Sequence, residues 1–411
     1  MNAVKRLNHS PIWALLVLGL IDHRIQTGQI GCYKLAKITV SIMSDHKKKI
    51  KVWDLPTRIF HWSLVVLVAT ALVTGFLSPE WWMDIHIWAG YGIIFLIIFR
   101  LVWGVFGSEF SRFKSFAFTP GVVLTHIRKL IILRPLHYIG HNPAGAMMII
   151  ALIFFLFSIT ISGFFVLGGQ ENQGPLAGVI NYKFGHMAGE LHEVMAFILM
   201  GLIALHIIGV IIETRLSREN LVKSMIDGYK TIPEDKTAPK IRPARPLAAA
   251  AVLLVFTVLA SSALWVLSSI PPSGIISLTQ NKEYSTECGD CHEVYHPSLL
   301  PKTSWAKMMS GLEDHFGEDA SLDKNTAAHI TTYLEANAAE AWDTEASNRF
   351  SKVSSDAPYQ ITATRYWQRK HREIGADIFK RKSVGGKSHC ASCHLDAASG
   401  RFDDQQINIP N

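Results

Sequence analysis

Five stretches of this chain are each long and apolar enough to cross a lipid bilayer, and that feature excludes most folds before anything else is read. They cover residues 60–78, 86–107, 144–169, 191–212 and 247–270, and a helical crossing needs about 20 residues. A backbone in hydrocarbon must satisfy its own hydrogen bonds, so each stretch is expected to be a helix. Arg100 and Glu193 are the only charged residues inside them. With 49% hydrophobic residues over 411 positions, the chain cannot be one soluble globule of ordinary make-up.

Orientation follows from the cations. Residues 44–58 hold five Lys or Arg, residues 108–143 five more and residues 213–246 eight, whereas the alternate loops, 79–85 and 170–190, together hold only Lys183. The positive-inside rule therefore puts the basic segments in the cytoplasm. The fifth span then delivers residues 271–411 outside, into a bacterial periplasm. The net charge of +7 divides the same way: residues 281–411 carry 15 basic and 19 acidic groups, so the surplus of positive charge lies on the membrane half. That basicity reports topology and anionic lipid, and no basic-aromatic surface points to nucleic acid. Residues 1–42 fit none of this; they read as an extension ahead of a true start at Met43, and Cys32 within them is given no role.

Histidines recur at the ends of the spans. His192 and His206 lie fourteen residues apart on one stretch, which on a helix places them within roughly 40° of one face and roughly 21 Å apart in height. His61 sits at the cytoplasmic end of the first span and His86 at the opposite end of the second. Depth then pairs His86 with His192 and His61 with His206. Two bis-histidine layers suit two stacked b-type haems, because haem iron takes axial imidazoles from facing helices. An interfacial or hydrogen-bonded role accounts for any single one of these histidines as well. His186 is a spare candidate, and Gly75, Gly90, Gly163 and Gly201 would let a macrocycle or a neighbouring helix approach closely.

Four of the five cysteines occur as "CGDCH", with Cys288, Cys291 and His292, and "CASCH", with Cys390, Cys393 and His394. Two thiols flanking two residues, followed at once by histidine, provide two thioether links and one iron ligand, the pattern of c-type haem attachment. A four-cysteine zinc site is the competing reading, and it leaves both histidines idle. For the second axial position His315 and His371 are free to fold over, with His329 as third choice; His296 and His389 are too close to their own motifs.

Two family resemblances attach to these residues. "KVWDLPTRIFHW", "HIWAGYGIIFLIIFRLVWGVFG", "GHNPAGA" and "LHEVMAFILMGLIALHIIGV" resemble the bacterial cytochrome b561 and nickel-hydrogenase cytochrome b family over about residues 50–232. That resemblance implies two b haems held by His61, His86, His192 and His206, and exchange of electrons with quinone. "ECGDCHEVYHPSLLPKTSWAKMMSGLEDHFGEDASLD" and "CASCHLDAASGRFDDQQINIP" resemble the dihaem cytochrome c family, which implies bis-histidine haems and points again to His315 and His371. It further implies a small oxygen-binding cytochrome c as a partner.

The expected architecture is mainly α. A cytochrome b membrane domain over 43–232, a four-helix transmembrane haem-binding bundle, is followed by a basic linker, 233–246, a fifth transmembrane helix, 247–270, and a mostly helical periplasmic dihaem domain, 271–411. The expected function is electron transfer from membrane quinol through two noncovalent b haems and two covalent c haems to a soluble periplasmic acceptor. Inward flow to quinone, coupled to superoxide or a hydrogenase, and a haem-based gas sensor stand as alternatives. Arg58 and Arg100 are the quinone-contact candidates on the cytoplasmic side.

Overall fold

The computed structural model describes residues 48–79, 82–132, 138–232, 242–353 and 357–411. The N-terminal extension, with Cys32 and Met43, and most of the 233–246 linker lie outside the described residues. Two short strands, β1 (Lys48–Lys51) and β2 (Tyr229–Ile232), pair into a two-stranded sheet, which belongs to a small unit of its own.

The membrane part is built from α1 (Leu55–Phe76), α2 (Met83–Phe106), α3 (Pro120–Ile131), α4 (Pro143–Gly169), α5 (Tyr182–Ser217), α6 (Leu221–Asp227) and α7 (Pro246–Ser268). Among the described residues, α1, α2, α4, α5 and α7 are the helices long and apolar enough to cross a membrane. α1 packs along α2, α4 along α5, and α2 against both α4 and α7. Ile93, Ile97, Leu156 and Leu199 form the buried centre, flanked by Leu64, Leu67 and Val68 of α1. Large side chains such as Val66, Trp88, Phe95 and Leu254 point outward, as lipid contact requires.

Local chemistry sets where these helices begin. α1 starts five residues before its apolar window because Asp54 caps it, accepting from the Thr57 amide at 3.0 Å, with Pro56 in the first turn. The same carboxylate accepts from Trp103 Nε1 at 3.0 Å, Ser108 Oγ at 2.7 Å and Ser111 Oγ at 3.0 Å, tying the start of α1 to the end of α2. Burial alone would raise the Asp54 pKa, but these donors hold it below the usual carboxylate value. α5 is 36 residues long and overruns the predicted 191–212 window at both ends, since hydropathy marks only the lipid-facing part of a helix. α3 was not expected; it is a short amphipathic helix that packs on α4 and buries Val123 and His126.

The C-terminal domain is a set of short helices: α8 (Lys282–Glu287), α9 (Lys302–Met309), α10 (Lys324–Ala336), α11 (Glu345–Phe350), α12 (Arg365–Lys370) and α13 (Ala376–Phe379). Helices this short are not stable alone. Side-chain caps from Asn281, Asp323, Thr344 and Thr364 hold their first turns. Two cores bind them together, one around Trp305, Ile330 and Leu334, the other around Leu299, Phe350 and Trp367.

This domain is seated on the loop between α4 and α5. Ser273 donates its amide to Ala177 O at 2.8 Å and its hydroxyl to Ile180 O at 2.9 Å. Asp343 accepts from the Tyr182 amide at 2.9 Å, and Arg401 reaches Asn172 O at 3.5 Å. Gly274 makes the approach possible: its φ is +69°, and a Cβ there would lie 2.1 Å from that of Asp343.

Candidate haem sites

The imidazoles of His86 and His192 face one another across the bundle with ring centroids 6.1 Å apart. Two imidazoles that ligate one metal through nitrogens at about 2 Å each have centroids roughly 6 Å apart, so this pair is spaced to hold an iron between them. Their outer nitrogens are already occupied. His86 Nδ1 lies 3.1 Å from Ala71 O and 3.2 Å from Thr74 Oγ1, and His192 Nδ1 is 3.0 Å from Ser162 Oγ. That fixes each ring and leaves its Nε2 for metal. Gly75 and Gly163 provide the room: a Cβ at either would sit 3.2 or 3.4 Å from Cε1 of His86 or His192. Gly90 and Gly201 border open space instead.

At the other end of the bundle His61 of α1 is close enough to His206 of α5 to interact with it electrostatically. His61 Nδ1 is buried with no hydrogen-bond partner among the described residues. Arg58 and Arg100 are both engaged structurally: Arg58 donates to Ile226 O, and buried Arg100 donates to Ser111 O at 3.0 Å with its guanidinium 4.7 Å from the Phe113 ring. A better-shaped feature on this side is a cavity of about 280 Å³ lined by Gly121, Val122, Thr125, His126 and Tyr138. His126 is 1% exposed, and neither ring nitrogen has a hydrogen-bond partner among the described residues.

Both cysteine motifs meet a second histidine at the same ring spacing, with different ring angles. His292 and His315 have centroids 6.2 Å apart at 26°, and His371 and His394 are 6.1 Å apart at 62°. His292 Nδ1 is 2.7 Å from Glu293 O, and His371 Nδ1 is 2.9 Å from Trp367 O. Burial, with His371 and Lys370 adding to it, pushes the His394 pKa down to about 4, so the ring is a neutral imidazole as a ligand must be. Burial and then Glu293 push the Cys390 thiol up to about 12, and burial with Glu287 raises Cys288 to about 11. A cavity of about 220 Å³ beside His371 is lined by Trp367, Ile374, Ala376 and Phe379. Among the described residues no three His, Cys, Asp or Glu side chains converge as a bare metal ion would require.

The remaining histidines stand apart from these pairs. His296 is 5% exposed, packed edge-on to Trp342 with Nδ1 2.8 Å from Ser298 Oγ, and Gly400 leaves space for it. Burial pushes its pKa down to about 4. His329 is a surface residue, 70% exposed and 3.5 Å from Glu283. His186 stacks on Tyr182 and meets Arg349 at the domain junction.

Residues 52–228 match the family described as prokaryotic cytochrome b561, and residues 284–402 match dihaem cytochrome c. The C-terminal half belongs to the dihaem cytochrome c family, and the membrane half matches the cytochrome b561 family over residues 52–228.

Relatives of the cytochrome b half include the probable Ni/Fe-hydrogenase B-type cytochrome subunits of Cupriavidus necator, 26% identical over 44% of this chain and 86% of that one, and of Rhodobacter capsulatus, 25% identical over 53% and 98%. The dihaem half is similar to solved dihaem cytochromes c from Shewanella baltica, 36% identical over 33% of this chain and 96% of that one with a TM-score of 0.26, and from Rhodobacter sphaeroides, 35% identical over 32% and 100% with a TM-score of 0.27. The cytochrome b561–dihaem c fusion is a multi-pass membrane electron-transfer protein carrying b and c haems.

Sequence reasoning missed the residues that support the ligands. Glu293, next after His292, accepts from the amides of Cys390 at 2.7 Å and Ala391 at 3.2 Å, so one cysteine motif holds the turn of the other. Nothing in a lone glutamate ninety-seven positions away signals this. Thr74 and Ser162 carried a faint signal, being hydroxyls in apolar helices.

Proposed function

We propose that this cytochrome oxidises membrane quinol at the His61/His206 end, and that electrons leave at the dihaem half for a soluble periplasmic acceptor. His61 with His206 and His86 with His192 would each hold a noncovalent haem b. Cys288, Cys291 and His292 with His315, and Cys390, Cys393 and His394 with His371, would each hold a covalent haem c. Iron so held gains and loses one electron without an open coordination site. The chain's own work is to space, orient and bury these groups.

The observation that carries the reading is the seat of the dihaem half. Residues 404–406 pack against α2, the helix that carries His86, and the Leu395 amide beside His394 donates to Gln406 O at 3.0 Å. This contact supports an order of sites in which the His371/His394 pair neighbours the His86/His192 end of the bundle. The basic loops at the opposite end support a periplasmic dihaem domain. The His126 cavity is the candidate for the quinol headgroup, with an imidazole positioned to accept a proton.

A quinol analogue should reduce both haem types in purified protein, pyridine haemochrome analysis should give equal b and c, and a soluble oxidised cytochrome should reoxidise all of them. The hydrogenase-type names of the relatives favour a second reading, in which electrons run inward to quinone. Reduction of the b haems only from the c side would select it.

A further inference from the structure

Charge in the dihaem half is divided between its two motifs. Residues 281–323, which hold His292 and His315, carry three basic and nine acidic groups; residues 365–387, which hold His371, carry eight basic and two acidic. The basic segment is the one turned toward the membrane domain, where Lys370 lies 3.8 Å from Asp404 and both neighbour Glu171. In the acidic segment Glu283 pairs with His329, which stays within the dihaem half. Glu313, Asp314, Glu318, Asp319 and Asp290 are all exposed around the His292/His315 pair.

One apolar side chain stands within that acidic border. Phe316 is 69% exposed, and its ring is edge-on to His315 with centroids 5.0 Å apart. It holds φ at +56°, a left-handed backbone that a bulky residue adopts at a cost. A tight turn keeps it there: the His315 amide donates to Glu318 O at 2.8 Å, and the Gly317 amide donates to Asp314 Oδ1 at 3.0 Å. Besides His315, the Phe316 ring meets Tyr359 edge-on with centroids 6.4 Å apart, and most of it stays exposed. A small apolar centre in a charged rim, edge-on to a ligand imidazole, is the anatomy of a transient protein interface.

We propose that the face around Phe316 is the docking surface for a soluble electron-transfer protein with a basic rim around its own redox centre. The inference rests on the proposed exit of electrons from the dihaem half, and it assigns that exit to the His292/His315 pair. The acidic border steers the partner by long-range attraction, and Phe316 provides the dry contact once it arrives. The same charge repels anionic lipid, so the face stays turned from the membrane.

The test uses the full-length haem-loaded protein in detergent, with a lysine-rich soluble cytochrome c as probe and the same probe with its lysines succinylated. Isothermal titration should show the basic probe binding, with Kd weakening at least about tenfold as salt rises from about 20 to 200 mM. The succinylated probe should not bind. Replacing Glu313→Gln, Asp314→Asn, Glu318→Gln and Asp319→Asn together should weaken binding at least about tenfold, as should Phe316→Gly alone to a lesser degree. Glu373→Gln with Asp377→Asn, on the other motif, should leave Kd unchanged. Equal binding of both probes, or an unaltered Kd in the quadruple variant, overturns the proposal. The two-probe comparison needs no variant, so it decides the matter even if the quadruple variant fails to fold. Reduction by quinol is measured separately: if it fails while the basic probe still binds selectively, the electron route is wrong and the docking face stands.

Discussion

The backbone amide of Tyr182, at the first turn of α5, donates to the carboxylate of Asp343, 161 positions later, at 2.9 Å. An N-terminal helix amide has no partner within its own helix, and a carboxylate there also complements the helix dipole. The helix that bears His192 and His206 is thus capped by the dihaem domain, and the same Asp343 accepts from Asn348 Nδ2 at 3.1 Å. Asp343→Ala should destabilise this seat by about 1 kcal/mol. The expected readout is faster proteolysis in residues 270–281 with unchanged haem content; unchanged cleavage would show that the cap does not hold the two halves together.

A second prediction concerns the glycines behind the membrane imidazoles. A Cβ at Gly75 would lie 3.2 Å from His86 Cε1, tighter than ordinary contact, so a branched side chain there must displace the ring. Gly75→Val should remove one haem b signal while the haem c signal stays, as should His86→Ala. Gly121, on α3, which bears none of the paired histidines, meets nothing within 4 Å, so Gly121→Ala should be far milder. A reduced-minus-oxidised spectrum separates the outcomes, and equal b loss in both glycine variants would dismiss the steric argument.

Phe316 provides a third. Its left-handed backbone costs about 1 kcal/mol for a residue with a Cβ, and the exposed ring repays little by burial. Phe316→Gly should therefore raise the stability of the dihaem half by up to about 1 kcal/mol, seen as a higher Tm of the loaded protein. A fall in Tm would mean that the ring packs against something the turn needs.

The fold was legible where physics acts locally. Five apolar windows announced five helices, and the spacing of His192 and His206 gave two layers because a helix has a fixed period. His315 and His371 stood out from family resemblance and from excluding neighbours too near their motifs, but which motif each one meets came only from the structure. What stayed hidden was long-range: Glu293 reaching Cys390, Asp343 reaching Tyr182, and α3 packing on α4 with a buried His126. Each depends on tertiary placement that no window of sequence contains. Arg58 and Arg100 illustrate the same limit, since a cation in sequence looks alike whether it meets a ligand or a backbone carbonyl.

The last prediction follows from the junction. Burial, and then the like charges of Asp404 and Glu345, push the Glu171 pKa up to about 8 against 4.5 in an unfolded chain, with Lys370 opposing them in part. A carboxyl with a raised folded pKa binds its proton more tightly when folded. The contribution of Glu171 to stability is therefore greatest below about pH 4.5, declines as pH rises through the window to about 8, and is level above it. Glu171→Gln cannot ionise, so it should match the native protein at pH 4 and exceed it by a few degrees in Tm at pH 9, where the native cluster carries an extra buried negative charge. Parallel melting of the two proteins across that range, with no divergence between pH 5 and 8, would show that Glu171 is ionised and solvated in the native junction.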